Sequence, residues 1–289
     1  MPPATASLLP EPLLDQVLIR LGLSTAPEVS LDGLRLLYGA WCLQVPFDNV
    51  QKLVHLHQHR PGPLPGTTAE DFFTSWLKHG TGGTCWAGSN ALHALLTTLG
   101  FEAVRCIATM LVVPDLPPNH GSVRVTVEGR PWLTDTSILF GEPLPLDAPE
   151  ETVIPHPAWG VRARITDGLW QVNWRPLHMT DGFPCRFDRF GADPEEHARR
   201  YDDTRGWSPF NYQLTARRNR DEETFGMAFG DSVRLRSDGG VEKAPIDDAE
   251  RRRRLVEDFG MSDEIVSQLP ADRPTPPPPG SKTAAQEQG

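Results

Sequence analysis

The hydrophobic period of this chain changes once, at Gly100, and that switch restricts the fold more than any other feature. Before it, apolar residues recur at helical spacing. The spacing predicts helices over 11–21, with Leu14, Leu18 and Leu21 on one face, and over 31–43, with Leu34, Leu37 and Trp41. A third helix, over 68–79, opens with the polar and acidic TTAED and buries Phe72, Phe73 and Trp76. A fourth runs over 85–99 and stops at Gly100. Beyond Gly100 come β-branched runs over 103–113, 122–127 and 132–135, separated by PDLPPNHG and EGRP, with a further strand expected over 168–173. A strand over 211–217 and a helix over 247–259 ended by Gly260 follow. The proline-rich, then polar, segment 271–289 is expected to be a disordered tail. The pattern is α+β: a helical unit, a sheet unit and a smaller mixed segment.

Charge removes several function classes. With 28 Lys+Arg against 38 Asp+Glu the net charge is −10, so a phosphate backbone meets a repulsive average field and no nucleic-acid partner is expected. No apolar run is long enough to span a bilayer, and the opening MPPATASLLPEPLLDQVL lacks the basic start of a signal peptide. The expectation is a cytoplasmic chain with no membrane partner. Cys42, Cys85, Cys106 and Cys185 form no C-x-x-C pair, which argues against a disulfide framework or a cysteine zinc site and for a reducing compartment.

The densest chemical signal is GTGGTCWAGSNALHALLTTLG, residues 80–100. Glycines free backbone N–H groups to point into open space, and Cys85 follows them at the first turn of an amphipathic helix. A thiol with an ordinary pKa of about 8.5 is only a few per cent thiolate at neutral pH, and a helix N-terminus contributes roughly 0.3–1 kcal/mol. A reactive Cys85 therefore needs a basic partner; without one the residue is an inert thiol in a core helix. His120, in PPNHGSVRVTV, stands where a loop enters a strand, and Asp135 ends the next strand, PWLTD. A hairpin brings the two side by side if they face the same way, giving a nucleophile, a base and an orienting carboxylate. Taken alone, His120 reads first as a surface-loop histidine.

Other candidates carry less. His55, His57 and His59 in HLHQHR alternate as ligands on a strand face do, but no carboxylate or thiol is close in sequence, and no metal is expected. The arginines at 251–254 follow DDAE and read as a solvated helix face. The run from Gly80 to Cys85 would need glycine at 85 to bind a dinucleotide, and it follows a helix rather than a strand.

On these residues the chain resembles the arylamine N-acetyltransferase family over nearly its whole length, to about residue 270. The family's arginine-glycine-glycine-x-cysteine element is met by Thr81, Gly82, Gly83, Thr84 and Cys85, and its histidine and aspartate by His120 and Asp135. Its proline-phenylalanine-glutamate-asparagine element is met by Pro46, Phe47, Asp48 and Asn49, and its serine-proline-phenylalanine element by Ser208, Pro209 and Phe210. The resemblance implies a cysteine-proteinase-like core in three parts. These are a helical bundle over 1–100 carrying the nucleophile, a β-barrel over 101–200 carrying the histidine and aspartate, and an α/β lid over 201–270. It also implies a ping-pong reaction with a thioester intermediate, in which Cys85 takes an acetyl or other acyl group from acyl-CoA and passes it to an arylamine, hydrazine or other small-molecule amine. No permanently bound cofactor is implied. Backbone N–H groups at Cys85 and near His120 are the expected oxyanion donors, and Phe47, Trp86, Phe140, Ser208 and Phe210 the expected substrate-binding residues.

The chain departs from the family pattern around the nucleophile, at Thr81, Trp86, Ala87 and Ser89, and in the second helix, where Tyr38 and Trp41 stand at the family's histidines. Such changes allow a larger acyl group, taken from CoA or from an acyl carrier protein by an amide synthase, with Trp86 and Phe140 reshaping the cleft. A transglutaminase-like hydrolase uses the same order of cysteine, histidine and aspartate but gives no reason for PFDN or SPF. A papain-type enzyme needs a histidine roughly 130–150 residues after its cysteine, and none lies between residues 215 and 235. A binding protein that has lost activity is the remaining reading.

Overall fold

The computed structural model describes residues 8–113, 116–147, 150–177, 179 and 182–278. The first part is helical: α1 (Glu11–Arg20), α2 (Leu31–Gln44), α3 (Val50–His57), α4 (Ala69–His79) and α5 (Cys85–Thr98), interrupted by the two-residue strand β1 (Phe47–Asp48). Local chemistry sets the ends. Ser30 and Thr68 extend ahead of α2 and α4 and accept hydrogen bonds from Gly33 N–H and Asp71 N–H, and Gly80 closes α4 in the left-handed region at φ +72°. Trp41, Phe72, Phe73 and Trp76 pack ring on ring between α2 and α4. Helix α5 is buried along most of its length, between α4 and the sheet that follows.

That sheet has eight antiparallel strands: β2 (Glu102–Met110), β3 (His120–Val127), β4 (Arg130–Thr134), β5 (Leu144–Pro145), β6 (Thr152–Ile154), β7 (Val161–Thr166), β8 (Leu169–Trp174) and β9 (Phe183–Ala192). Their order is β5-β4-β3-β2-β9-β8-β7-β6, and β5 meets β6, so the sheet curls into a nearly closed barrel. Two register shifts in the β2–β9 pair supply part of the curl. Glycines let α5 approach closely: a Cβ on Gly121 would fall 2.6 Å from Ser89 Oγ, and one on Gly88 2.6 Å from Thr136 Oγ1.

After α6 (Pro194–Asp203) the chain builds a five-stranded sheet from β10 (Thr215–Arg220), β11 (Glu223–Ala228), β12 (Asp231–Leu235) and β13 (Val241–Pro245), with α7 (Asp248–Glu257) and α8 (Asp263–Val266). Its fifth member is β1, which pairs with β10 through Phe47 with Arg217 and Asp48 with Ala216. The expected lid is therefore sewn to the helical unit, and Val50, Leu53 and Val54 of α3 share a core with Leu255, Phe259 and Ile265.

Several elements differ from the sequence reading. HLHQHR belongs to α3 and the turn after it: the buried residues Val50, Leu53 and Val54 follow helical spacing, and the alternation of histidines is incidental. His55 Nε2 sits 3.2 Å from Arg205 Nη1, an unfavourable neighbour for a metal ion. Disorder was expected from residue 271, yet Asp272 Oδ1 accepts from Leu214 N–H and Arg273 N–H donates to the Tyr212 carbonyl. The rest of that tail, 279–289, and the chain start, 1–7, lie outside the described residues. Among the described residues, no helix is long and apolar enough to cross a membrane, and no group of three or more His, Cys, Asp or Glu is arranged to hold a metal ion.

Candidate active site

Cys85 is the first residue of α5, where the helix's leading N–H groups have no intrahelical acceptor and the Thr84 side chain does not cap them. The loop before it is clamped from below by PFDN. Asp48 Oδ2 accepts from Gly82 N–H at 2.6 Å, its Oδ1 accepts from Val50 N–H at 3.0 Å, and Asp48 N–H donates to the Gly83 carbonyl at 3.1 Å. Burial pushes the Asp48 carboxyl up to about 6 in spite of those donors. Only glycine fits at 82, where a Cβ would stand 1.6 Å from the Pro46 carbonyl oxygen, and Gly83 has φ +125°. Asn49 ties the same segment to the last unit: its Nδ2 donates to the Phe210 and Gln213 carbonyls, and its Oδ1 accepts from Thr215 N–H.

His120 opens β3 and Asp135 follows β4, so the hairpin sets them side by side, with Nε2 2.6 Å from Asp135 Oδ2. The other carboxylate oxygen, Oδ1, accepts from Ser137 N–H, Ser137 Oγ–H and Ile138 N–H, each at 2.9 Å. Burial alone would lower the His120 pKa, but the Asp135 carboxylate and the Cys85 thiol outweigh it and raise the imidazole above its ordinary range. Burial raises Asp135, and the imidazole with the backbone N–H groups more than reverses this. With Nε2 committed to Asp135, Nδ1 remains for Cys85, whose thiol also lies 3.8 Å from the Asn119 carbonyl oxygen. Asn119 is itself fixed, its side chain exchanging hydrogen bonds with both backbone groups of Met110.

Cys85 and His120 open into a cavity of about 560 Å³ walled by all three parts of the chain, with Phe47, Met110, Trp174, Trp207 and Phe210 among its apolar lining. Of the expected substrate-binding residues, Phe47, Trp86, Ser208 and Phe210 line it. The rings of Phe47 and Phe210 meet edge to face at 5.4 Å, Ser208 Oγ also accepts from Phe210 N–H, and Trp86 packs against the buried His197. Phe140 does not line it. Leu139 turns the chain at φ +56° and Phe140 is wholly buried, with its ring on Tyr38, so the residue belongs to the core.

The sequence comparison agrees with this geometry: an N-acetyltransferase family model matches residues 30–176, half of the chain. The chain belongs to the arylamine N-acetyltransferase family. No curated protein matched by sequence. Among solved structures, the arylamine N-acetyltransferase from Mycobacterium abscessus is 20% identical, with 89% of this chain and 93% of that one covered at a TM-score of 0.72. That of Mycobacterium marinum in complex with CoA is 21% identical, covering 89% and 95%, at 0.75, and that of Salmonella typhimurium 21%, covering 86% and 91%, at 0.71. At these identities the likeness speaks for the fold.

In this arylamine N-acetyltransferase, side chains from the helical part and from α6 support the site. Tyr38 exchanges hydrogen bonds with both backbone groups of Asp135, and Ser89 Oγ pairs with His197 Nε2 at 3.1 Å. Two basic residues among those lining the cavity, Lys52 and Arg217, were not expected from the sequence. Lys52 is hidden in VQKLVHLH, where an amphipathic helix reading assigns a lysine to solvent, and Arg217 sits in the charged run RRNR.

Proposed function

We propose that Cys85, His120 and Asp135 act as nucleophile, base and orienting carboxylate in a ping-pong transfer of an acetyl group from acetyl-CoA to a small amine. The observation that carries this reading is the buried imidazole joined to Asp135 on one side and Cys85 on the other, in the wall of a largely apolar cavity. His120 takes the thiol proton as Cys85 Sγ attacks the donor carbonyl; the carbon–sulfur bond to CoA breaks, and the CoA sulfur leaves with the proton held by the imidazole. The amine nitrogen then attacks the thioester, His120 accepts its proton, and the Cys85 sulfur departs to be reprotonated. N–H groups at the start of α5 face the developing oxyanion. In this reading the helical part up to residue 100 carries the nucleophile, the barrel over 101–200 carries its base and carboxylate, and the segment over 201–270 roofs the cavity. The Mycobacterium marinum structure is a complex with CoA, which supports CoA thioesters as donors here. The four free, buried cysteines suit a reducing cytoplasm.

Intact-protein mass spectrometry after incubation with a panel of acyl-CoAs tests the reading. Wild type gains the mass of one acyl group, Cys85→Ala gains none, and addition of an arylamine discharges the adduct into an amide. An adduct that water discharges as fast as any amine would make the protein a hydrolase instead.

A further inference from the structure

The cavity wall is electrically one-sided. Lys52 and Arg217 are each 3% exposed, and among the described residues the lining holds no Asp or Glu and neither cation has an ion-pair partner. Lys52 Nζ donates to Thr204 Oγ1 at 2.8 Å and stands 5.9 Å from the Tyr201 ring, which leaves two of its three donors unused. Arg217 Nη1 donates to the Arg175 carbonyl, its guanidinium lies over Trp174, and its buried Nε and Nη2 have no acceptor. Arg217 feels the buried Asp135 carboxylate only at a distance, and two enclosed basic groups with no direct ion pair are costly to the folded protein unless an anion joins them.

We propose that the amine acceptor carries a carboxylate, received in this cavity by Lys52 with Arg217 supplying the second positive charge. The proposal rests on the acyl-transfer reading above and adds the acceptor's chemical class. A CoA donor brings phosphates too, but they hang at the far end of the pantetheine arm from the thioester. Lys52 is electrostatically coupled to the Cys85 sulfur itself and shares its cavity. A cation in that wall faces the space that receives the groups joined to the reacting carbon or nitrogen. Burial holds the Lys52 ammonium down to about 7, with Cys85 opposing the shift and the Arg205 charge adding to it. Arg217 adds a planar donor group of the geometry that carboxylates accept.

Transfer from acetyl-CoA to 4-aminobenzoate and to 4-aminobenzamide, near isosteres that differ in charge, tests the proposal in wild type, Lys52→Met, Lys52→Arg and Arg217→Met. Wild type is expected to favour the acid at least tenfold in kcat/KM, chiefly through KM. Lys52→Met and Arg217→Met each reduce that preference at least fivefold, and Lys52→Arg retains it. Equal use of the two amines by wild type, or a preference untouched by either loss of charge, overturns the proposal. So does a wild type indifferent between the amines that takes succinyl-CoA over butyryl-CoA, which moves the carboxylate to the acyl group. Failure of both Met variants to be acetylated by acetyl-CoA, with acetylation by 4-nitrophenyl acetate retained, gives the cations to the donor's phosphates and also overturns it. The rise in melting temperature on adding 4-aminobenzoate, expected in wild type and lost in Lys52→Met, reads the anion site without turnover. A wild type that forms no adduct with any donor overturns the acyl-transfer reading, while the melting shift still decides whether the cavity takes the anion.

Discussion

Tyr38 and Asp135, one in the second helix and the other just past the fourth strand, exchange two hydrogen bonds. The phenol donates to the Asp135 carbonyl at 2.7 Å and accepts from the Asp135 N–H at 3.0 Å, with both residues fully buried. The helical part thus grips the backbone of the residue whose carboxylate pairs with His120. Tyr38→Phe keeps the ring against Phe140 and leaves both backbone groups unsatisfied. The variant is expected to lose about 1–3 kcal/mol in denaturant unfolding and to acylate roughly ten- to a hundredfold more slowly, read by rapid-quench mass spectrometry.

Asp135→Asn replaces a carboxylate that four groups approach, three at Oδ1 and one at Oδ2, with a neutral amide that can no longer balance an imidazolium. His120 is raised above its ordinary range chiefly by that carboxylate, against the opposing effect of burial. The substitution therefore lowers the His120 pKa, seen as a downward shift of its imidazole titration by NMR. Transfer should fall by roughly a hundred- to ten-thousandfold while the fold is retained.

Lys52 gives the protein a pH signature. Its folded-state value of about 7 lies below the ordinary 10.5, so between these values the unfolded chain holds a proton that the folded chain has released, and rising pH favours folding. Below about 7 both states are charged and the full burial cost applies. Cys85 and Arg205 are the titratable or charged groups coupled to it. Lys52→Met should therefore be stabilised over wild type most at pH 6, with the gap in melting temperature closing as pH rises toward 10; a gap that widens would contradict the assignment.

Asn49→Ala removes two donated hydrogen bonds and one accepted one between PFDN and the last unit. The expected loss is about 2–4 kcal/mol, with faster amide exchange concentrated at residues 210–215. Uniform acceleration over the whole chain would count against a local clamp.

The juxtaposition of Cys85, His120 and Asp135, the proposed nucleophile, base and carboxylate, is legible in the sequence because each sits at a boundary that local chemistry marks. Cys85 follows a glycine turn, His120 enters a strand and Asp135 leaves the next. Their supports are long-range and leave little local trace. Nothing near Tyr38 in sequence points to Asp135, and a lysine on a short amphipathic helix reads as surface until Thr204 and Tyr201 are seen to cover it. Phe140 misleads for a related reason, since position after the aspartate suggests the cleft and a left-handed turn at Leu139 sends the ring inward. PFDN and SPF are visible as motifs, but their work as a clamp joining two parts of the chain needs the coordinates.

The two-residue strand at Phe47–Asp48 reaches past the whole barrel to find its partner in β10. On a ribosome the cysteine helix emerges long before that partner does, and until then the strand offers an open edge and the glycine loop lacks its finished floor. Assembly of the thiol's surroundings is thus tied to the last third of the polypeptide, and a chain released early would carry Cys85 without the wall that shields it.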